Sequence, residues 1–212
     1  MKLRVPALTV AIAAAALLIH VLPEPVTAEL QFVRAGLAHG QWWRLFTGHL
    51  THFGANHLAW DVAAFLTLGW CCESQSRTRT VLTLIVASPS IAIALWICQP
   101  QFEIYRGLSG LDCALFGMLA TYLCRSRQCI SKSIGVLALL GVGAKSGWEI
   151  ATASPFFASG NDYAPVPLAH VIGLASGILG AVVPPWIISR PGSCSETPKP
   201  SHPGRSSLAP MR

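Results

Sequence analysis

Six apolar runs decide what this chain can become: Ala7 to Leu22, Gly54 to Cys72, Thr80 to Cys98, Leu108 to Cys124, Ser133 to Ala153 and Val166 to Ser189. Most of them approach or reach the roughly 20 residues that cross a hydrocarbon core about 30 Å thick. A water-soluble domain carries charge on about a quarter of its residues, whereas here the charged share is 11% and the mean hydropathy +0.52. In lipid a segment has to satisfy its own backbone, which makes each run a helix. The expected fold is all-α, a polytopic six-transmembrane-helix bundle over residues 1–189. A tail over 190–212 follows, rich in Pro, Ser and Gly and without an apolar period, and is expected to be disordered.

The net charge of +6 invites a nucleic-acid reading, but its distribution argues against one. Lys2 and Arg4 precede the first run, Arg77 and Arg79 separate the second from the third, and Arg125, Arg127 and Lys132 separate the fourth from the fifth. Arg190, Lys199, Arg205 and Arg212 follow the sixth, while the opposite loops hold only Arg34, Arg44 and Arg106. By the positive-inside rule both termini are cytoplasmic and Leu108 to Cys124 starts from the outer side. The first 28 residues also resemble a signal peptide ending at Val26-Thr27-Ala28; a retained helix is favoured because it completes the bundle. Seven cysteines, an odd number without CxxC spacing, predict neither a disulfide framework nor a metal site.

The connection between the first two runs is too apolar to float free. Leu30, Phe32, Val33 and Leu37 suit a short helix lying in the interface, and Trp42 and Trp43 an aromatic belt. Arg44 pairs with Glu29 or is solvated. Ser88-Pro89-Ser90 is expected to kink the third run.

The polar residues inside the runs carry the chemistry. His57 and Asp61 lie four apart on one helical face, and ionisable groups at that depth usually point into the bundle or a wet cavity. Lys145 and Glu149 are an i,i+4 pair that neutralises itself or serves a proton path. Ser109 stands between glycines at the start of the fourth run, in Tyr105-Arg106-Gly107-Leu108-Ser109-Gly110. Glycine weakens a helix and is kept where backbone passes close to something. The unpaired N–H groups of a first helical turn favour developing negative charge. Ser109 is thus either an ordinary N-cap or a nucleophile facing a substrate carbonyl. In the sixth run His170, Gly173 and Gly177 fall at i, i+3 and i+7, presenting an imidazole beside a bare groove. That groove matches the small stripe of Ser109, Cys113 and Gly117, with Gly110 and Ala114 alongside. A modest vertical offset would bring Ser109 and His170 level.

These residues resemble a known family. Gly107-Leu108-Ser109-Gly110 and His170-Val171-Ile172-Gly173 are similar to the GxSG and HxxG motifs of rhomboid intramembrane serine proteases, and Trp43-Arg44 with His52 and His57 to that family's WR motif and second helix. Within it, the small size, Thr47-Gly48-His49 and the Lys145/Glu149 pair look most like rhombosortases. The resemblance implies a bacterial inner-membrane enzyme without cofactor or metal. It would act on transmembrane protein substrates, associated in that branch with a C-terminal Gly-Gly, membrane anchor and basic tail.

On that reading Ser109 attacks and His170 takes its proton. With no carboxylate in sight to orient the imidazole, the pair forms a dyad. The backbone N–H of Ser109 and the side chain of His57 hold the oxyanion, with Gly107 and Gly110 letting the chain approach. His49, His52 and His57 keep an outer-facing cavity wet. Two positions depart from the family: Asp61 where an Asn is usual, and Cys113 where an aromatic residue commonly supports the histidine. Both favour a competing reading, a catalytically inactive helix-binding relative. A small transporter or proton channel using Asp61, Asp112, Lys145, Glu149 and His57 is a third, for which internal repeats are lacking.

Overall fold

A computed structural model describes residues 5–152 and 166–183. The tail over 190–212 and the basic residues Lys2, Arg4, Arg190, Lys199, Arg205 and Arg212 lie outside the described residues.

Each apolar run carries a helix. α1 spans Ala7–His20, α5 Ala55–Cys98, α6 Ser109–Cys124, α7 Cys129–Thr152 and α8 Pro167–Val182. α5 accommodates the second and third runs as two arms, 55–75 and 77–98, that meet at Ser76, whose φ of −162° and ψ of 102° break the helix. Dihedrals stay helical through Pro89, so the interruption falls at the polar Ser74-Gln75-Ser76 corner and not at Ser88-Pro89-Ser90. α5 and α7 are long and apolar enough to cross a membrane. α1, α6 and α8 are apolar but shorter, at 14, 16 and 16 residues. Sixteen residues rise about 24 Å, less than a full hydrocarbon core.

The connection after α1 is built differently from the interfacial helix expected there. α2, Glu24–Leu30, ends before a two-residue strand β1, Phe32–Val33, and α3, Arg34–Ala38, and α4, Arg44–Thr47, follow. β1 pairs antiparallel with β2, Ile104–Tyr105, placing Phe32 opposite Tyr105. Among the described residues the fold is therefore all-α apart from this small ribbon. Phe32 and Leu37 are 0% and 2% exposed. They are core residues because the aromatic and β-branched pair Phe32-Val33 finds a partner strand, which local helical spacing does not reveal.

Three arginines tie these connections together, Arg34 and Arg44 through backbone carbonyls and Arg106 through side chains. The last carbonyls of a helix have no partner within it. Arg34 donates to those of Leu95, Trp96 and Gln99 at the end of α5, at 3.0, 2.6 and 2.7 Å. Arg44, buried, donates to Ala28 and Gln31 carbonyls at 2.8 and 2.7 Å and pairs with Glu29 at 3.1 Å. Arg106 joins Gln31 and Glu24, each at 2.6 Å. At the other end Glu73 caps α1, accepting from Leu8 N, Thr9 N and Thr9 Oγ at 3.2, 3.0 and 2.9 Å. A carboxylate there is favoured by the orphan N–H groups and the helix dipole.

α6 occupies the centre, with Leu108, Ala114, Leu115 and Met118 fully buried between α8 and both arms of α5. α7 is peripheral: it buries only Gly135, Ser146 and Glu149 and turns Leu137, Leu140, Trp148 and Ile150 outward. Apolar residues facing outward on a peripheral helix suit lipid as the solvent.

Candidate active site

The site is assembled where the β2 strand turns into α6. Gly107 has φ of +129°, a conformation that an L side chain rarely adopts. A Cβ there would also lie 2.9 Å from His57 Cε1 and 3.2 Å from Asp61 Oδ2. Tyr105, buried and held by β1, donates its hydroxyl to the Gly107 carbonyl at 3.1 Å. The turn is thus fixed from both sides, and α6 opens with Ser109.

Ser109 is half-buried, and its Oγ lies 3.2 Å from Nε2 of His170 in α8. The two residues meet because α6 and α8 touch backbone to backbone. A Cβ at Gly173 would collide with the Gly110 carbonyl, one at Gly177 with the Ala114 carbonyl, and one at Gly117 with the Leu174 carbonyl. The contact row is Gly110, Ala114 and Gly117: of the expected stripe Gly117 lies on it, whereas Ser109 and Cys113 stand one position off. Cys113 is half-buried and outside these collisions.

Asp61 is the hub on the other side of Ser109. Its Oδ2 accepts from Leu108 N at 2.8 Å and Ser109 N at 3.2 Å, and His52 Nε2 and His57 Nε2 lie 3.2 and 3.3 Å away. The expected oxyanion donors, the Ser109 N–H and His57, therefore converge on the carboxylate of this same protein. The i,i+4 spacing makes Asp61 and His57 neighbours and the expected oxyanion site puts His57 at the α6 turn, but nothing in the sequence announces that the Asp61 carboxylate itself accepts from the Leu108 and Ser109 amides, or that His52 joins it.

His49 and His52 do not line an open, wet cavity. They are 1% and 2% exposed. His49 Nε2 lies 3.0 Å from the Ser88 carbonyl. Burial pushes the His49 imidazole below its ordinary value, outweighing that hydrogen bond, so it is neutral and donates through Nε2. The two rings are drawn inward because each has a fixed acceptor, Ser88 O or Asp61. Among the described residues, no group of three or more His, Cys, Asp or Glu could hold a metal ion.

A carboxylate does face the imidazole, contrary to the sequence reading. Glu149 of α7, 3% exposed, places Oε2 3.6 Å from His170 Nδ1, while its Oε1 takes Lys145 Nζ at 2.7 Å. The Lys145–Glu149 pair was legible from its i,i+4 spacing. Its approach to His170 was not, because 20 residues and a change of helix intervene. Asp112 is buried on α6, and its Oδ1 finds no hydrogen-bond partner.

Comparison with known proteins gives a consistent picture. The family model described as "Rhomboid domain" matches residues 39–185. The "Putative rhomboid protease YdcA" of Bacillus subtilis (strain 168) is 30% identical over 89 residues, covering 42% of this chain and 43% of that protein. "Rhomboid protease GluP" of the same organism is 29% identical over 100 residues, covering 47% of this chain and 19% of that protein. The chain thus spans less than half the length of either relative.

Proposed function

The chain belongs to the rhomboid family, and from that premise we propose that it is an intramembrane serine endopeptidase using Ser109 and His170 on membrane-anchored protein substrates. It is an integral membrane protein; six crossings, cytoplasmic termini and residence in a bacterial inner membrane are parts of the proposal. Ser109 Oγ attacks the scissile carbonyl carbon as its proton passes to His170 Nε2. The tetrahedral intermediate expels the amine, which takes the proton from His170, and water then releases the acyl group by the same route. The observation that carries this reading is the 3.2 Å separation of Ser109 Oγ and His170 Nε2, at the distance at which a general base can accept the hydroxyl proton.

The developing oxyanion takes the place now held by Asp61 Oδ2, where Leu108 N–H, Ser109 N–H and His57 converge. Each such donor is worth on the order of 3 kcal/mol of barrier. Asp61 has to release them first. Asp61→Asn keeps the shape while removing the negative charge from that spot, and is expected to raise the rate of labelling by an active-site fluorophosphonate by roughly tenfold. A hundredfold loss would instead assign the carboxylate a required part in the reaction.

The finer assignment, by resemblance, is to the rhombosortase branch, whose substrates end in a Gly-Gly, membrane anchor and basic tail. The size, Thr47-Gly48-His49 and the Lys145/Glu149 pair support it. A second reading, a helix-binding relative without turnover, is favoured by Cys113 and by Asp61, whose carboxylate occupies the Leu108 and Ser109 N–H groups. Fluorophosphonate labelling of the purified full chain separates the two. The protease reading expects labelling of the wild type and none of Ser109→Ala or His170→Ala. An unlabelled wild type, or equal labelling of all three, leaves the helix-binding reading.

A further inference from the structure

We propose that Glu149 is a positioning residue for His170, so that the site works as a Ser109–His170–Glu149 line with Lys145 holding the carboxylate in place. The inference rests on the protease reading above and adds a third member from a different helix.

A general base at Nε2 has to present a lone pair to the Ser109 hydroxyl, which requires the ring proton to sit on Nδ1. Whatever faces Nδ1 decides how firmly that tautomer and ring orientation are held. The group facing it is Glu149 Oε2 at 3.6 Å. This is longer than a formed hydrogen bond and within reach of one after a small rotation of the side chain, as is usual for such contacts before substrate arrives. When His170 takes the serine proton it becomes an imidazolium, and a buried carboxylate beside Nδ1 stabilises that charge.

Glu149 is suited to this by its surroundings. It is 3% exposed, and an ionised carboxylate is expensive at that burial unless paired. Lys145 Nζ, 2.7 Å from Oε1, supplies the pair on the face away from His170. The two oxygens are thus divided: Oε1 anchored by the ammonium one turn earlier in α7, Oε2 directed at the ring. His170 has no aromatic shelf at Cys113, the position where the family commonly carries one, so an electrostatic hold on Nδ1 would replace a packing one.

The alternative is that Lys145 and Glu149 merely neutralise each other and hold α7 against the bundle. Three variants of the full chain in detergent or bilayer separate the two roles. Glu149→Gln keeps the volume and removes the charge. It is expected to slow fluorophosphonate labelling of Ser109, and kcat on a transmembrane substrate, by about 10–100-fold with little change in KM, the range for an outer partner of a working histidine. Lys145→Met leaves the carboxylate but removes its anchor, and is expected to slow labelling in the same direction as Glu149→Gln and by a smaller factor, because Oε2 still faces the ring. Lys145→Met/Glu149→Gln deletes the ion pair without leaving an unpaired charge. It should recover the thermal stability lost in Glu149→Gln while labelling stays slow. Recovery of labelling in the double variant, or wild-type labelling in Glu149→Gln, would overturn the proposal. Failure of the dyad reading looks different: there the wild type is unlabelled or Ser109→Ala is labelled.

Discussion

Ser109→Ala is expected to lower kcat for a transmembrane substrate by about 10⁴–10⁶, His170→Ala by about as much, and the double variant by no more than either. The reason lies in how the two groups depend on each other. A serine hydroxyl is a weak nucleophile until a base removes its proton, and His170 Nε2 at 3.2 Å is the base within reach. An imidazole without the hydroxyl has no covalent step to assist. Either loss therefore removes the same pathway, leaving only what binding and the convergent backbone N–H groups of Leu108 and Ser109 contribute. Steady-state cleavage in reconstituted bilayers, with KM determined separately, checks this. Losses that multiplied in the double variant would mean that the two side chains act on separate steps, and the line drawn between them would be wrong.

What the sequence made legible follows from which physical terms are local. Burial of the apolar runs is decided within each run, and every run carries a helix. The glycine face of His170, Gly173 and Gly177 was likewise readable, because helical periodicity places those residues on one side whatever they meet. Partners chosen by tertiary approach were not readable. Phe32 reads as one apolar position of a helix lying in the interface until Tyr105 offers it a strand. Arg34 and Arg106 read as loop charges until the end of α5 and the Gln31 side chain accept them. His49 and His52 read as polar lining for a wet cavity, since nothing near them in the chain announces Ser88 O or Asp61. The same limit hid Glu149 from His170. Asp61 reads from the sequence as one half of a His57–Asp61 pair on one helical face, and the two side chains do meet, at 3.3 Å. Its reach to the Leu108 and Ser109 amides depends on Gly107, whose φ of +129° folds the turn back over α5.

Gly177→Leu is expected to lower kcat by roughly 10²–10³ and to destabilise the bundle by about 1–3 kcal/mol. A Cβ at Gly177 would run into the Ala114 carbonyl and also crowd Met118 N. Both obstacles are backbone inside a central helix, so no side chain can rotate aside, and α8 has to move away from α6. The dyad spans that same joint, with Ser109 at the head of α6 and His170 two turns above Gly177 on α8. A displacement of about 1 Å carries Oγ and Nε2 out of hydrogen-bond reach, and misplacement on that scale costs about 10²-fold in rate. The control is Gly143→Leu on α7, where an added Cβ meets nothing within 4 Å. It puts the same side chain into the lipid-facing side of the molecule and should leave cleavage and thermal stability near wild type. If Gly177→Leu cleaved as fast as that control, the α6–α8 contact would not be what sets the distance between the hydroxyl and the imidazole.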